Sequence, residues 1–247
     1  MLNGLDLFTG IGGISYAIRE WVRPIAYCEI DPYCQGILLS RMHTGELSRA
    51  RIWDNIKTFP INRTDIETID IIYGGFPCQD ISIAGHGKGL EGERSGLFFE
   101  ILRLAKEMQP RFIFLENVPA ITTRGGIQVV NEIASMGYDC RWCIISAESV
   151  GANHERERWF LLAHTNSKSS GQTDTLPKSY ENKGATWLGS TRSLGADISG
   201  TYWQENKQPI PGMDYGLPFE LDRARAMGNS VCPQQTKEAF KILMGLK

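Results

Sequence analysis

Short apolar runs alternate with amphipathic stretches through the first 164 residues, and this alternation constrains the fold more than any other feature. "GLDLF" at 4–8 has the length of a buried strand, and "TGIGGISYAIREW" then gives a glycine turn running into a helical pattern. A second strand is expected over 24–31, ending in Glu29 and Asp31, with Pro32 in the first turn of a helix reaching about His43. "IDIIYGG" is a strand. A helix follows over 95–108, with Leu97, Ile101, Leu104 and Ala105 on one face and Ser95 as its N-cap. "RFIFLENVP" is a strand stopped by Pro119, 127–136 is a helix, and "CRWCIIS" and "RWFLLAH" are strands. Strand–helix alternation of this kind predicts an α/β fold with a doubly wound, mostly parallel sheet. In such sheets chemistry collects at the carboxyl ends of strands, and every stretch singled out below is expected there.

At Thr165 the texture changes. The chain becomes rich in Ser, Thr, Gly, Asn and Lys and loses its period, although Tyr180, Trp187, Tyr202 and Trp203 punctuate it. Residues 165–220 read as a small irregular module or long insertion. Pattern returns at "RARAMGNSV", and "CPQQTKEAFKILMGLK" closes the chain as an amphipathic helix. The division is therefore 1–164 with 221–247 as one domain and 165–220 as an appended region.

"DLFTGIGG" sets Gly10, Gly12 and Gly13 between a strand and a helix, with Glu29 about 20 residues on. Such a turn lets a ligand approach the backbone, and a carboxylate there can accept both hydroxyls of a ribose. Ser15 stands where the dinucleotide fingerprint has its third glycine, so the pattern fits either a nucleoside cofactor or a plain helix–strand packing turn.

"GGFPCQDIS" places Cys78 after two glycines, which permit an unusual backbone path, and a proline, which fixes its own backbone angle, so that together they hold the thiol in one place. A lone cysteine is ordinarily a small buried hydrophobe, but Gln79, Asp80 and Ser82 follow at once, and polar neighbours argue against burial. The glycine-rich, charged segment 83–96 has the composition of a loop able to close over the thiol. No histidine supplies a thiol-protease context. Instead Glu116 and Asn117 end the next strand, and a partly buried carboxyl with a raised pKa both donates and accepts protons; a solvated strand end or helix cap is the alternative. In "HERERWF", alternation along a strand would put His154, Arg156 and Arg158 on one face, where two guanidiniums hold an anion or a carbonyl oxygen or simply form a charged edge. Cys140 and Cys143 form a C-x-x-C with no second pair at zinc spacing. They read as structural thiols, one on each face of a strand, and no metal is expected.

Taken together and in order, "DLFTGIGG", "GGFPCQDIS", "FLENVP", "ERER" and "RARAMGNSV" resemble the motifs of the cytosine-5 DNA methyltransferases. The resemblance covers about 4–164 and 212–240. It implies a sheet of the S-adenosylmethionine-dependent methyltransferase type and S-adenosylmethionine as cofactor, with 165–220 as target recognition region. It further implies that Cys78 attacks carbon 6 of a cytosine flipped out of double-stranded DNA. Glu116 would bond nitrogen 3 and the exocyclic amine, Arg158 the carbonyl oxygen at carbon 2, and Arg156 would support the site. Phe8, Gly10 and Gly12 would line the cofactor, Glu29 bind its ribose, and Asn229 and Val231 close the pocket. Where the family often has Asp-Ile against the adenine, this chain has Asn55 and Ile56, with Asp54 just upstream; His154 stands where many members have Gln. A compact restriction-modification, phage or prophage enzyme is the expected setting. The same chemistry on tRNA, a catalytically silent DNA-binding homologue and a cysteine hydrolase are the competing readings.

Composition bounds these readings. The chain has 247 residues, 42% of them hydrophobic, which suits one large α/β domain with an appendage. The net charge of -2 argues against a wholly electrostatic DNA binder and leaves room for a local basic surface; Lys168, Lys178, Lys183, Arg192 and Lys207 are phosphate-contact candidates. The start "MLNGLDLFTG" has neither a basic region nor a long apolar run, so a cytoplasmic protein with no membrane partner is expected; a monomer is the separate expectation for its oligomeric state.

Overall fold

The computed structural model describes residues 1–60, 68–77, 96–165, 186–187 (backbone only) and 230–246. Its centre is an eight-stranded sheet in the order β3-β2-β1-β4-β5-β7-β6-β8. The strands are β1 (Leu2–Leu7), β2 (Val22–Cys28), β3 (Arg51–Trp53), β4 (Ile71–Gly75), β5 (Phe112–Asn117), β6 (Tyr138–Ser146), β7 (Glu157–Thr165) and β8 (Thr186–Trp187). β1 to β5 pair in parallel, as expected. β7 runs antiparallel to both β5 and β6. The two-residue β8, inside the irregular segment, adds to β6 in parallel.

Helices cover both faces: α1 (Gly13–Ala17), α2 (Pro32–His43), α3 (Gly96–Met108), α4 (Gly126–Ser135) and α5 (Pro233–Met244). The central strands are buried on both sides, which is why they read as continuous apolar runs. On one face Leu5, Leu7, Ile72, Ile113 and Leu115 join Phe98, Ile101, Leu104, Val129 and Ile133 of α3 and α4. On the other, Ile71, Tyr73, Phe112 and Phe114 join Ile14 and Ala17 of α1 and Ala239, Phe240 and Leu243 of α5. Cys140 and Cys143 fall on opposite faces, both buried, and burial pushes each thiol up to about 12, the behaviour of inert core residues.

Most elements lie where the sequence puts them. Asp31 caps α2, accepting from the Tyr33 N–H at 2.9 Å, with Pro32 at its start and Arg41 and His43 in its last turn. The first helix is shorter than its pattern suggests. After Ala17 the chain has only a tight turn, in which the Trp21 and Val22 N–H groups bond the Ile18 carbonyl, before β2 starts at Val22. On α3 it is Phe98, with Ile101, Leu104 and Ala105, that is buried, while Leu97 is only partly covered; Ser95 lies outside the described residues. Among the described residues no helix is long and apolar enough to cross a membrane.

The antiparallel β7 corrects one expectation. "ERER" is at the amino end of its strand, not the carboxyl end. Because β7 is reversed, with Glu116 beside Phe160 and Asn117 beside Trp159, that amino end still reaches the edge where β1, β2, β4 and β5 finish.

Candidate active site

The first half of the site is the turn after β1. Phe8 has φ 53°, Gly10 56° and Gly12 82°, so three nearby residues take the left-handed conformation. This curls the backbone back so that the Gly12 N–H bonds the Thr9 carbonyl at 2.9 Å. The turn also holds a carboxylate. Glu29 Oε2 accepts from the Gly10 N–H at 2.6 Å and Oε1 from the Asp31 N–H at 2.8 Å. Glu29 is buried, yet each oxygen spends only one lone pair on these bonds, which leaves acceptor capacity for two hydroxyls. From the far side Val231 closes on Gly13 so tightly that a Cβ there would sit 2.9 Å from its Cγ2. The end of β3 joins in through the Glu29 N–H, which bonds the Trp53 carbonyl at 2.9 Å. Just beyond it, the Asn55 side chain accepts from the Lys57 N–H at 3.0 Å, and Ile56 is packed in the core. Phe8, Gly10, Gly12, Glu29 and Val231 thus converge, and Asn55 and Ile56 flank them; Asn229 lies outside the described residues.

The second half gathers at β4, β5 and β7. Glu116 is 8% exposed and its Oε1 meets Arg158 Nε at 2.7 Å. Burial raises its carboxyl to about 6, against the downward pull of Arg158 and then Arg156. That value lets one group act near neutral pH as donor and as acceptor. Arg156 is not on the strand with Arg158, as alternation suggested: β7 begins at Glu157, and His154 is exposed in the connection. What brings Arg156 in is the closed neck of that connection, where its carbonyl accepts from the Ala147 N–H at 3.0 Å.

The two glycines before Cys78 have a different job from the one the sequence suggested. Neither has a positive φ, and both are ordinary residues of β4. A Cβ on Gly74 would lie 2.1 Å from the Leu7 carbonyl oxygen, and one on Gly75 would lie 2.5 Å from Glu116 Oε2. They provide room, not an unusual backbone path. Asn117 completes the edge: its Nδ2 donates to the Phe76 carbonyl at 3.0 Å, tying β5 to the chain two residues before Cys78. Cys78 itself, with the 83–95 part of the glycine-rich loop, lies outside the described residues.

Three contributors escaped the sequence reading. Arg41 of α2 donates from Nη1 to the Ile11 carbonyl at 2.6 Å and so braces the glycine turn. Asp6, in the middle of an apolar strand, accepts from the Ser15 hydroxyl at 2.5 Å, and Ser15 in turn meets the Tyr73 hydroxyl at 2.7 Å. The serine that breaks the glycine fingerprint is therefore an anchor for α1. Gln235 is buried on α5 and grips two carbonyls at the neck of the β6–β7 connection. An acid between Leu5 and Leu7 was a visible signal; the other two had none.

These two halves on one sheet edge define a doubly wound α/β protein with a nucleoside-type turn beside a carboxyl–guanidinium centre. The chain belongs to the C-5 cytosine-specific DNA methylase family, whose model matches residues 2–210. It is 32% identical over 239 residues to the type II methyltransferase M.CviJI of Paramecium bursaria Chlorella virus IL3A, covering 96% of this chain and 58% of the relative. With the type II methyltransferase M.HhaI of Haemophilus parahaemolyticus it shares 31% over 185 residues, 73% of this chain and 54% of that one. The chain thus spans between half and two thirds of these curated relatives. Among solved structures, a putative DNA modification methyltransferase encoded within an E. coli prophage superposes with a TM-score of 0.52 at 26% identity, covering 67% of this chain and 47% of that one. A Spodoptera frugiperda DNMT2 variant shares the fold at a TM-score of 0.58 and 16% identity, covering 80% and 56%.

Proposed function

We propose that this protein is a DNA (cytosine-5-)-methyltransferase that methylates a cytosine flipped from a specific site in double-stranded DNA. The observation that carries the reading is a spacing. Leu7, which leads into the glycine turn, is beside Gly74, and Gly75 is beside Glu116, so one strand separates the two halves of the site. Two strand spacings come to about 10 Å, room for a nucleoside cofactor and a base ring to meet between them.

S-adenosylmethionine, when bound, supplies an electrophilic methyl group, and the residues around the turn suit it: Glu29 for the ribose, Phe8, Gly10, Gly12 and Val231 around it, Asn55 and Ile56 at the β3 end. The rest is the work of this chain's side chains. The Cys78 thiolate bonds to carbon 6 of the cytosine, and the ring π electrons move to carbon 5. Glu116, with a pKa of about 6, delivers hydrogen bonding to nitrogen 3 and the exocyclic amine as charge develops there. Arg158, held 2.7 Å from Glu116, reaches the carbonyl oxygen at carbon 2, with Arg156 behind it. Once carbon 5 is methylated, its proton leaves, the carbon 6–sulfur bond breaks and Cys78 is free again. Residues 165–220 read the target and 1–164 with 221–247 do the chemistry. The setting is restriction-modification or phage and prophage DNA modification, by a monomer in the cytoplasm.

Bisulfite sequencing of DNA from cells expressing the protein tests this directly, and a reproducible methylated site is expected. Cys78→Ser should show no methylation and no covalent adduct with 5-fluorocytosine DNA. Full methyl transfer by that variant, or transfer to tRNA and not to DNA, refutes the proposal.

A further inference from the structure

Gln235 is fully buried on the third residue of α5, among Ala239, Phe240 and Leu243 of the same apolar face. Its Nε2 donates to the Ile145 carbonyl and to the Arg156 carbonyl, each at 2.6 Å. Both amide protons are thereby used on the two sides of the neck between β6 and β7. Its Oε1 is buried with no hydrogen-bond partner among the described residues. A leucine or methionine would fill the same space without stranding an oxygen, so packing alone does not explain an amide here.

Its position explains it better. The last β6–β7 ladder pair is Ser146 with Glu157, so the ladder stops one residue short of Arg156. Beyond that point the Arg156 backbone is held by the Ala147 N–H at 3.0 Å and by Gln235. The Arg156 side chain leaves from this gripped backbone into the field of Arg158 and Glu116 on the sheet edge, near the buried Cys232 thiol at the start of α5. The same helix follows Val231, which seals Gly13. We propose that Gln235 is a positioning residue whose buried amide clamps the Ile145 and Arg156 carbonyls and so sets where the Arg156 guanidinium lies relative to Glu116. The clamp also makes α5 a physical link between the cofactor turn and the carboxyl–guanidinium centre.

In its activity arm this inference rests on the methyltransferase reading, so the test has a second arm that does not. Glu116 is faced by Arg158 and Arg156 among the described residues, and both pull its titration down. In the full-length protein, Gln235→Met should let Arg156 withdraw. The Glu116 carboxyl, followed by NMR with carbon-13-labelled glutamate, should then titrate at higher pH than wild type. On cytosine DNA the same variant should lose about tenfold in kcat, as displaced active-site groups do. Adding it to Arg156→Ala should cost nothing further, because both act through one guanidinium. An unmoved Glu116 titration in a folded variant, or additive losses in the double variant, overturns the proposal. If Gln235→Met does not fold, Gln235→Asn, whose amide is one methylene too short for both carbonyls, takes its place. If neither folds, Gln235 is a folding element and the proposal is wrong. A wild-type protein that methylates no cytosine DNA while its Glu116 shift survives refutes the functional reading and leaves the clamp standing.

Discussion

At Gly12 the backbone turns through a φ of 82°, a conformation that side-chain-bearing residues avoid; at Gly75 the backbone is an ordinary extended strand, and what is missing is space, because a Cβ would lie 2.5 Å from Glu116 Oε2. The two ends of the site also hold their carboxylates differently. Glu29 is held by the backbone N–H groups of Gly10 and Asp31, and Glu116 by the guanidinium of Arg158. A backbone cradle suits a group that binds hydroxyls. A buried carboxyl at about 6, balanced between desolvation and two arginines, suits a group that must change its protonation state. The proposed cofactor end is shaped by main-chain geometry and the proposed chemical end by side-chain electrostatics.

This contrast breaks most sharply at Gly75. Alanine there fits the strand backbone, so thermal stability should change little. Its methyl group must displace the Glu116 carboxylate, and a displacement of about 1 Å at a reacting centre costs on the order of 100-fold in rate. Single-turnover methyl transfer by Gly75→Ala should therefore fall by about that factor, with S-adenosylmethionine affinity unchanged. A normal rate would show that the carboxylate moves aside at no cost and that the close approach has no role.

The next largest effect concerns the buried layer under the glycine turn. Burial lifts Asp6 from 3.8 to about 8, despite its hydrogen bonds from Ser15 and Thr9, with Glu29 adding to the rise. A raised native pKa means the folded state keeps a proton that the unfolded chain has lost. The stabilisation is full below about 4 and declines as pH rises toward 8, at up to about 1.4 kcal/mol per pH unit. Asp6→Asn keeps a hydrogen-bonding group and removes the titration. Urea midpoints measured between pH 5 and 8 should fall with pH in wild type and be flatter in Asp6→Asn; parallel curves would place Asp6 in a wetter site than its burial indicates.

Much of this was legible in the sequence, for physical reasons. Strands buried on both faces betray themselves as apolar runs, and α2 announces its start with Asp31 and Pro32. Chemical groups sit at strand ends, so the order of motifs located Glu29, Glu116 and the paired arginines. Strand direction was not legible. Nothing in "RWFLLAH" says that β7 runs backwards, since a buried strand reads alike in both directions, and that reversal is what delivers "ERER" to the working edge. Nor were contacts between distant residues legible. Arg41 on Ile11 and Gln235 on Ile145 and Arg156 join segments that only the folded sheet brings together. The glycines show both outcomes: those at 10 and 12 turn the chain as expected, whereas 74 and 75 were expected to bend it and instead make room.

The smallest effect is the reciprocal of the first. Gly12→Ala places a side chain at φ 82°, which costs about 1–2 kcal/mol, and its Cβ would lie 2.5 Å from Leu47 Cδ1. That atom is the end of a flexible side chain and gives way more cheaply than backbone would. The loss should therefore appear as a lower thermal midpoint and weaker S-adenosylmethionine binding, because the turn that presents the Gly10 N–H to Glu29 is strained. The methyl-transfer rate at saturating cofactor should be nearly that of wild type, since β4, β5 and β7 are untouched. Gly75→Ala and Gly12→Ala thus form a pair with opposite signatures, rate without binding and binding without rate. If both variants lost rate and affinity together, the two ends would be one coupled unit, and the division of labour between main chain and side chain would have to be given up.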